Sequence, residues 1–359
     1  VVWSTSNLKT SSNIIVLQSG ALLAVWTYGS LARTIYVSIK QPGGSWSTPA
    51  TITTDSAWSI GAAPCLLQLP SGKVLLFAWV ANLSDLTAIT RCMQSDDDGV
   101  TWALSSSGVL PEPIAVGGAT DYTIMRCRVA YSAGQIVYMA WLRSGDTTTD
   151  TQDELRQYAS SDGGSSFSLV WSSDRTLVGA AQNGGSHIEI ISSGGSFYIG
   201  YISHITLLPY VARIESGYQA FGDATKVAVA PGSEVWATLS GSGKYATDGE
   251  FLLTADETGV LFCSGRLPTD GNVWVAFTSQ DIDATWIPMA KSSFASGAGK
   301  WWSADSGTYP YDAHSCWYQG QWAILASQQS NPSAYDGGSL SLYLLGGYSS
   351  VTMPGYDPQ

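Results

Sequence analysis

The strongest constraint on this chain is a phrase that returns along it. Ser95-Asp96-Asp97-Asp98-Gly99-Val100-Thr101-Trp102 places an Asp two residues after the Ser, then a Gly, a hydroxyl residue and an aromatic at fixed spacing. Ser160, Asp162, Gly164, Ser166 and Phe167 repeat the spacing, and Ser279, Asp281, Asp283, Thr285 and Trp286 repeat it with Asp in the glycine place. These residue types build a hairpin turn. Asp and Ser side chains hydrogen-bond nearby backbone N–H groups, glycine permits positive φ, and the aromatic plugs the turn into the sheet. None of them is there for catalysis, so the phrase speaks to architecture.

Around the phrase, a longer passage recurs six times, about every 50 to 65 residues, a period of propeller blades rather than helical solenoids. Each copy has an apolar strand, a Gly turn, a second apolar strand, a loop, and a third strand running into the boxed turn. The second copy is the clearest: Cys65-Leu66-Leu67-Gln68-Leu69, Gly72, Val74-Leu75-Leu76-Phe77-Ala78-Trp79, then Thr87-Ala88-Ile89-Thr90. Fully apolar strands between turn signals belong to sheets covered on both faces. The expected fold is therefore all-β, a six-bladed β-propeller with four-stranded antiparallel blades, forming one domain over residues 1–359. The expected blades are 11–58, 60–115, 121–180, 184–235, 247–300 and 309–359. Residues 1–10 are a candidate closing strand for the last blade, with the C-terminal stretch as the alternative fastening for the first.

Composition narrows the function classes. Charged residues make up 12% of the chain beside 38 glycines, 15 tryptophans and 18 tyrosines, which suits short strands and tight turns rather than long helices. A net charge of −12 with 16 Lys and Arg argues against nucleic acid as a partner, because phosphate binding needs clustered cations. No apolar run approaches the roughly 18 to 20 residues of a membrane span. The chain opens at Val1 without a leader, which reads as a soluble, processed or excised chain, and the sequon Asn82-Leu83-Ser84 favours export. Cys65, Cys92, Cys127, Cys263 and Cys316 lack paired spacing. They read as buried thiols with one or two disulfides left open, and the odd count leaves one cysteine outside any internal pair.

On these residues the chain resembles the sialidase-like superfamily of six-bladed β-propellers, whose hallmark is the Asp-box repeat. The phrase Gly20-Ala21-Leu22-Leu23-Ala24 followed by Ser45-Trp46-Ser47-Thr48-Pro49 is also typical. The resemblance implies that the boxes lie on outer turns, away from a central site. It also implies an arginine clamp for a carboxylate, a tyrosine nucleophile with a glutamate beside it, and an aspartate acid/base. Aligned on the glycine turns, the first arginine place holds Asn13, the aspartate place about Thr27, the glutamate place about Ser186 and the second arginine place Tyr201 or Ile202. Arg266 matches the third arginine and Tyr311 the tyrosine in type. Without the clamp, carboxylate recognition is lost, and a working sialidase is not expected.

In a propeller the innermost strand of each blade begins at the mouth of the central channel, so residues opening each repeat converge there. That reasoning selects Tyr311, Glu250, His187, Asp248 and Asp312 as candidate catalytic residues. Arg126, Arg266, Asn13, Glu189, His314, Asp121 and Tyr309 are candidate ligand-binding residues, joined by Trp301 and Trp302 from the loop before blade six. Carboxylates there supply a general acid and base for glycoside hydrolysis. His, Tyr and Arg together suit a lyase, and Trp and Tyr faces stack on sugars. The competing account is that channel mouths are wet and hold polar residues for that reason alone. No local spacing supports a metal, and no cofactor is expected. The leading expectation is an extracellular or virion-surface propeller that binds a glycan without turnover, with an oligomer or larger assembly open. The runner-up is a polysaccharide-active hydrolase or lyase, and the third reading a spike or filament subunit.

Overall fold

The computed structural model describes residues 3–5, 12–27, 34–53, 58–60, 64–82, 87–109, 114–115, 122–144, 154–172, 188–202, 209–228, 251–266, 274–284, 286–288, 309–329 and 338–345. Among them the strands form six antiparallel sheets arranged as the blades of a β-propeller. From the innermost strand outward, the first blade is Ser12–Val16, Leu22–Thr27, Thr34–Lys40 and Ala50–Thr53. The third is Tyr122–Ser132, Gln135–Ser144, Glu154–Ser160 and Ser168–Ser172, and the fourth Ile188–Ser193, Ser196–Ile202, Pro209–Ile214 and Thr225–Ala228. The fifth runs Phe251–Ala255, Leu261–Arg266, Trp274–Ser279 and Ile287–Pro288.

The second blade has the same width with two of its strands broken. Trp58–Ile60 and Cys65–Gln68 share the inner side of Val74–Asn82, while Ala103–Val109 and Ile114–Ala115 share the outer side of Thr87–Ser95. The last blade takes three strands from the C-terminal part, Tyr309–Tyr318, Gln321–Gln329 and Gly338–Leu345. Its outermost strand is Trp3–Thr5, with Trp3 opposite Leu340. The N-terminal segment therefore fastens the last blade. Contacts between innermost strands run from each blade to the next and from the last back to the first, so the sheets close a ring.

The apolar strands find their faces between blades. Leu23, Val25, Leu76 and Ala78 meet between blades one and two, and Phe77, Val129, Ile136 and Tyr138 between two and three. Ile14, Leu22, Tyr318 and Leu325 meet between the last blade and the first. Every residue of Leu22–Thr27 is buried, which is why that strand reads as an unbroken apolar run ending in Thr.

Two kinds of hairpin join the innermost strand to the next. Ala133-Gly134, Gly194-Gly195 and Gln319-Gly320 are two-residue turns with positive φ at both positions, the mirror-image turn that matches strand twist. In the first, second and fifth blades a longer turn ends in one positive-φ glycine, Gly20, Gly72 or Gly259.

The boxed turn forms as its chemistry demands in two blades. Ser95 Oγ donates to Asp97 Oδ1 at 2.7 Å and accepts from the Gly99 N–H at 2.8 Å. Asp97 in turn accepts from the Thr101 N–H at 2.8 Å and the Thr101 hydroxyl at 2.6 Å. Ser160, Asp162, Gly164 and Ser166 repeat these bonds. The third copy departs from the expected pattern. Ser279 Oγ donates to the Asp281 carbonyl, the Asp281 carboxylate lies 3.2 Å from Arg213 Nη1 of the neighbouring blade, and Asp283 lacks the positive φ of Gly99. Arg213 also pairs with Asp283 at 3.3 Å, so a cation from the blade before holds this turn. Cys65, Cys92, Cys127 and Cys263 are buried thiols and Cys316 a half-buried one.

Candidate functional site

The six innermost strands enclose a cavity of about 540 Å³ along the propeller axis. An innermost strand has a neighbour on one side only, so its outer edge turns unpaired backbone groups toward the axis. The wall therefore carries residues of both strand faces. Every strand contributes at least one polar residue to it, among them Asn13, Gln68, Arg128, Glu189, Thr254 and His314 from the first to the last blade. Five of these are buried, Gln68 being the half-buried exception.

Three of the six form a charged cluster. Arg128 Nη2 donates to Glu189 Oε1 at 3.1 Å, and Arg128 Nη1 to the Cys127 carbonyl at 2.7 Å. From the last blade, across the channel, His314 Nδ1 stands 3.7 Å from Glu189 Oε2, an ion pair when the imidazole is protonated and too long for a hydrogen bond. Glu189 thus offers one oxygen to blade three and the other toward blade six. Strand alternation explains how it gets there. Ile188 and Ile190 are packed into the interface with blade three, which leaves Glu189 on the other face.

Two other polar groups on the wall serve the structure. Gln68 Oε1 accepts from the Gln18 N–H at 2.7 Å, and Gln68 Nε2 donates to the Gly72 carbonyl at 2.9 Å, tying the hairpins of blades one and two. Asp256, the other carboxylate on the wall, accepts from the Thr258 N–H, the Thr258 hydroxyl and the Val260 N–H, and so caps its own turn. Among the described residues no group of three His, Cys, Asp or Glu side chains is placed to hold a metal ion.

Set against the sequence expectations, the structure brings Asn13, Glu189 and His314 into one cavity. Arg128, which the sequence reading passed over in favour of Arg126, belongs with them. Arg128 lies two positions beyond Arg126 in Tyr122–Ser132, so the two-residue period of a strand, followed one step deeper, leads to it. Tyr309, Tyr311 and Asp312 lie on the last blade's innermost strand and Arg266 on the second strand of blade five, with their side chains outside the described set, as is that of Arg126. Asp121, His187, Asp248, Glu250, Trp301 and Trp302 lie outside the described residues.

The chain is similar in fold to an alpha-L-arabinofuranosidase of Fusarium graminearum solved with arabinobiose, with a TM-score of 0.64 and 12% identity over 95% of this chain and 98% of that one. It is also similar to an alpha-L-arabinanase of Penicillium chrysogenum complexed with arabinobiose, at 0.61 and 13% over 96% and 98%. A protein of unknown function from Dyadobacter fermentans gives 0.58 and 13% over 96% and 97%. Identities this low establish a common fold. No family model and no curated protein matches the chain.

Proposed function

We propose that the protein is a polysaccharide-active glycoside hydrolase of a six-bladed, sialidase-like propeller, acting outside the cell or at a virion surface on an arabinose-containing glycan. The observation that carries the reading is the buried Arg128–Glu189–His314 cluster in the axial cavity. Full-length likeness in fold to two proteins named for arabinose-glycan hydrolysis supports the choice of substrate. In this reading the turns at Ser95 and Ser160 are Asp boxes of the rim, and substrate enters where the innermost strands begin.

Hydrolysis needs one carboxylic acid to protonate the leaving oxygen and one carboxylate to act as nucleophile or base. Arg128 donates to Glu189, so Glu189 serves as the carboxylate and the acid comes from the mouth. Glu250 fits that role, because it immediately precedes Phe251–Ala255, the innermost strand next to that of Glu189. Asp248, Asp312, His187 and Tyr311 are placed by their sequence positions to orient the sugar.

The test is reducing-sugar release across a panel of arabinans, arabino-oligosaccharides and uronic-acid polysaccharides. Turnover of the arabinose substrates should fall by about 100-fold or more in Glu250→Gln and in Glu189→Gln, with Glu250→Gln keeping the wild-type melting temperature. No release from any arabinose substrate by the wild type overturns the reading. A second reading, glycan recognition without turnover, draws on the fact that Arg128 and Glu189 neutralise each other while Asp256 caps a turn. Calorimetric binding of arabino-oligosaccharides without product would establish it.

A further inference from the structure

Beside the axial cavity, blade two turns sulfur toward blade three. Cys65 and Cys127 lie on the innermost strands of these blades, both buried, with their Sγ atoms 3.6 Å apart and their positions 62 apart in sequence. Leu67, Phe77, Val129 and Tyr138 close the surroundings. A third thiol, Cys92, belongs to the same cluster but is no partner for Cys65. Cys65 stands opposite Phe77 and Phe77 opposite Cys92, two strand spacings away, which puts the α-carbons about 10 Å apart against a limit of about 7 Å for a disulfide. Cys263 belongs to blade five and Cys316 to the last blade. The fold thus selects one pair.

We propose that Cys65 and Cys127 are an oxidation site, closing an inter-blade disulfide when the chain folds in the presence of a thiol–disulfide oxidant such as oxidised glutathione. One thiolate attacks the oxidant's S–S bond, forming a mixed disulfide and releasing one reduced thiol. The second thiolate attacks the protein sulfur of that mixed disulfide, forming the Cys65–Cys127 bond and releasing the other thiol. The protein loses two electrons and two protons, and the oxidant gains both. The Sγ atoms must approach from 3.6 Å to about 2.05 Å, a movement on the scale of side-chain torsions.

Burial sets when this happens. It pushes the Cys65 thiol well above its ordinary range, and exchange requires the thiolate. The bond therefore forms as blades two and three come together, and the same burial then shields it from reductant. It would pin the strand whose Cys127 carbonyl accepts from Arg128.

Reduced, denatured protein is refolded in glutathione redox buffer and, separately, in dithiothreitol, then alkylated in denaturant and digested. The expected result is a linked Cys65–Cys127 peptide from the glutathione sample alone, with the other three cysteines alkylated and a melting temperature about 5 °C higher. Cys65→Ala and Cys127→Ala should each abolish the rise. Five alkylated cysteines from the glutathione sample, or a linkage through Cys92, would overturn the proposal. The peptide map of the wild type decides the matter by itself if the alanine variants do not fold.

Discussion

Asp162 is a surface carboxylate made useful by its neighbours. The Ser166 hydroxyl, then the Ser166 N–H and the Ser160 hydroxyl, hold it down at about 2, and the Thr101 hydroxyl leads the bonds that hold Asp97 below the usual carboxylate range. A folded-state value below the unfolded one, about 3.9, means that stability from these turns is present above that pH and lost as pH falls toward 2. Both side chains are largely exposed, so solvent screening keeps the effect small. Asp97→Asn and Asp162→Asn should each cost about 1 kcal/mol at neutral pH, in line with other lost side-chain caps. Calorimetry should also show a flatter fall in melting temperature between pH 4 and 2 than in the wild type. An unchanged pH slope would remove the carboxylates from the account. Local chemistry of this kind was legible in the sequence because donor and acceptor lie within a few residues of each other. The channel cluster was legible only in part. Glu189 and His314 announced themselves by opening their repeats, whereas Arg128 was missed because blade three's inner strand starts at Tyr122 and has a bulge between Ile124 and Arg126, which displaces depth along the channel.

Among the turns, Gly99 and Gly134 separate two costs that sequence alone runs together. Both have positive φ, +88° and +86°. A Cβ at Gly134 meets nothing within 4 Å, while one at Gly99 would stand 2.8 Å from Leu23 Cδ1, a fully buried side chain of blade one. Gly134→Ala should therefore cost only the left-handed backbone penalty, about 1 to 2 kcal/mol. Gly99→Ala should add about 1 to 3 kcal/mol for overpacking between blades. Chemical denaturation of the two variants measures the difference, and equal losses would mean that the turn does not press on blade one. The glycine turns themselves were readable, since positive φ leaves few alternatives to Gly. The third box was not, because the partner that turns Asp281 outward is Arg213, 68 residues away in sequence and on another blade. Its Asp in the glycine place was the visible sign that the pattern would break.

At the level of the ring, the question is what the N-terminal strand contributes that the blades do not already supply. Which terminus fastens the ring was not readable from Trp3-Ser4-Thr5, because a three-residue edge strand carries no periodicity and its place is set by pairing with Gly338–Leu340. The first and last blades already share an apolar interface in which Ile14, Leu22, Ala24, Tyr318 and Leu325 are buried, each large side chain worth about 1.5 to 3 kcal/mol. Against that, a three-residue ladder supplies two or three hydrogen bonds at about 1 kcal/mol each. The interface wins by a wide margin, so deleting residues 1–10 should leave a closed, folded ring. It should be less stable by about 2 to 3 kcal/mol, with a melting temperature about 5 °C lower. The deletion also uncovers the edge of Gly338–Leu345, and an unpaired edge recruits strands from other chains. The shortened protein should then show concentration-dependent association in sedimentation velocity, suppressed by a synthetic peptide of residues 1–10 that also restores the melting temperature. A shortened chain with an unchanged melting temperature and no added association would mean that the ring is held by its apolar interfaces alone.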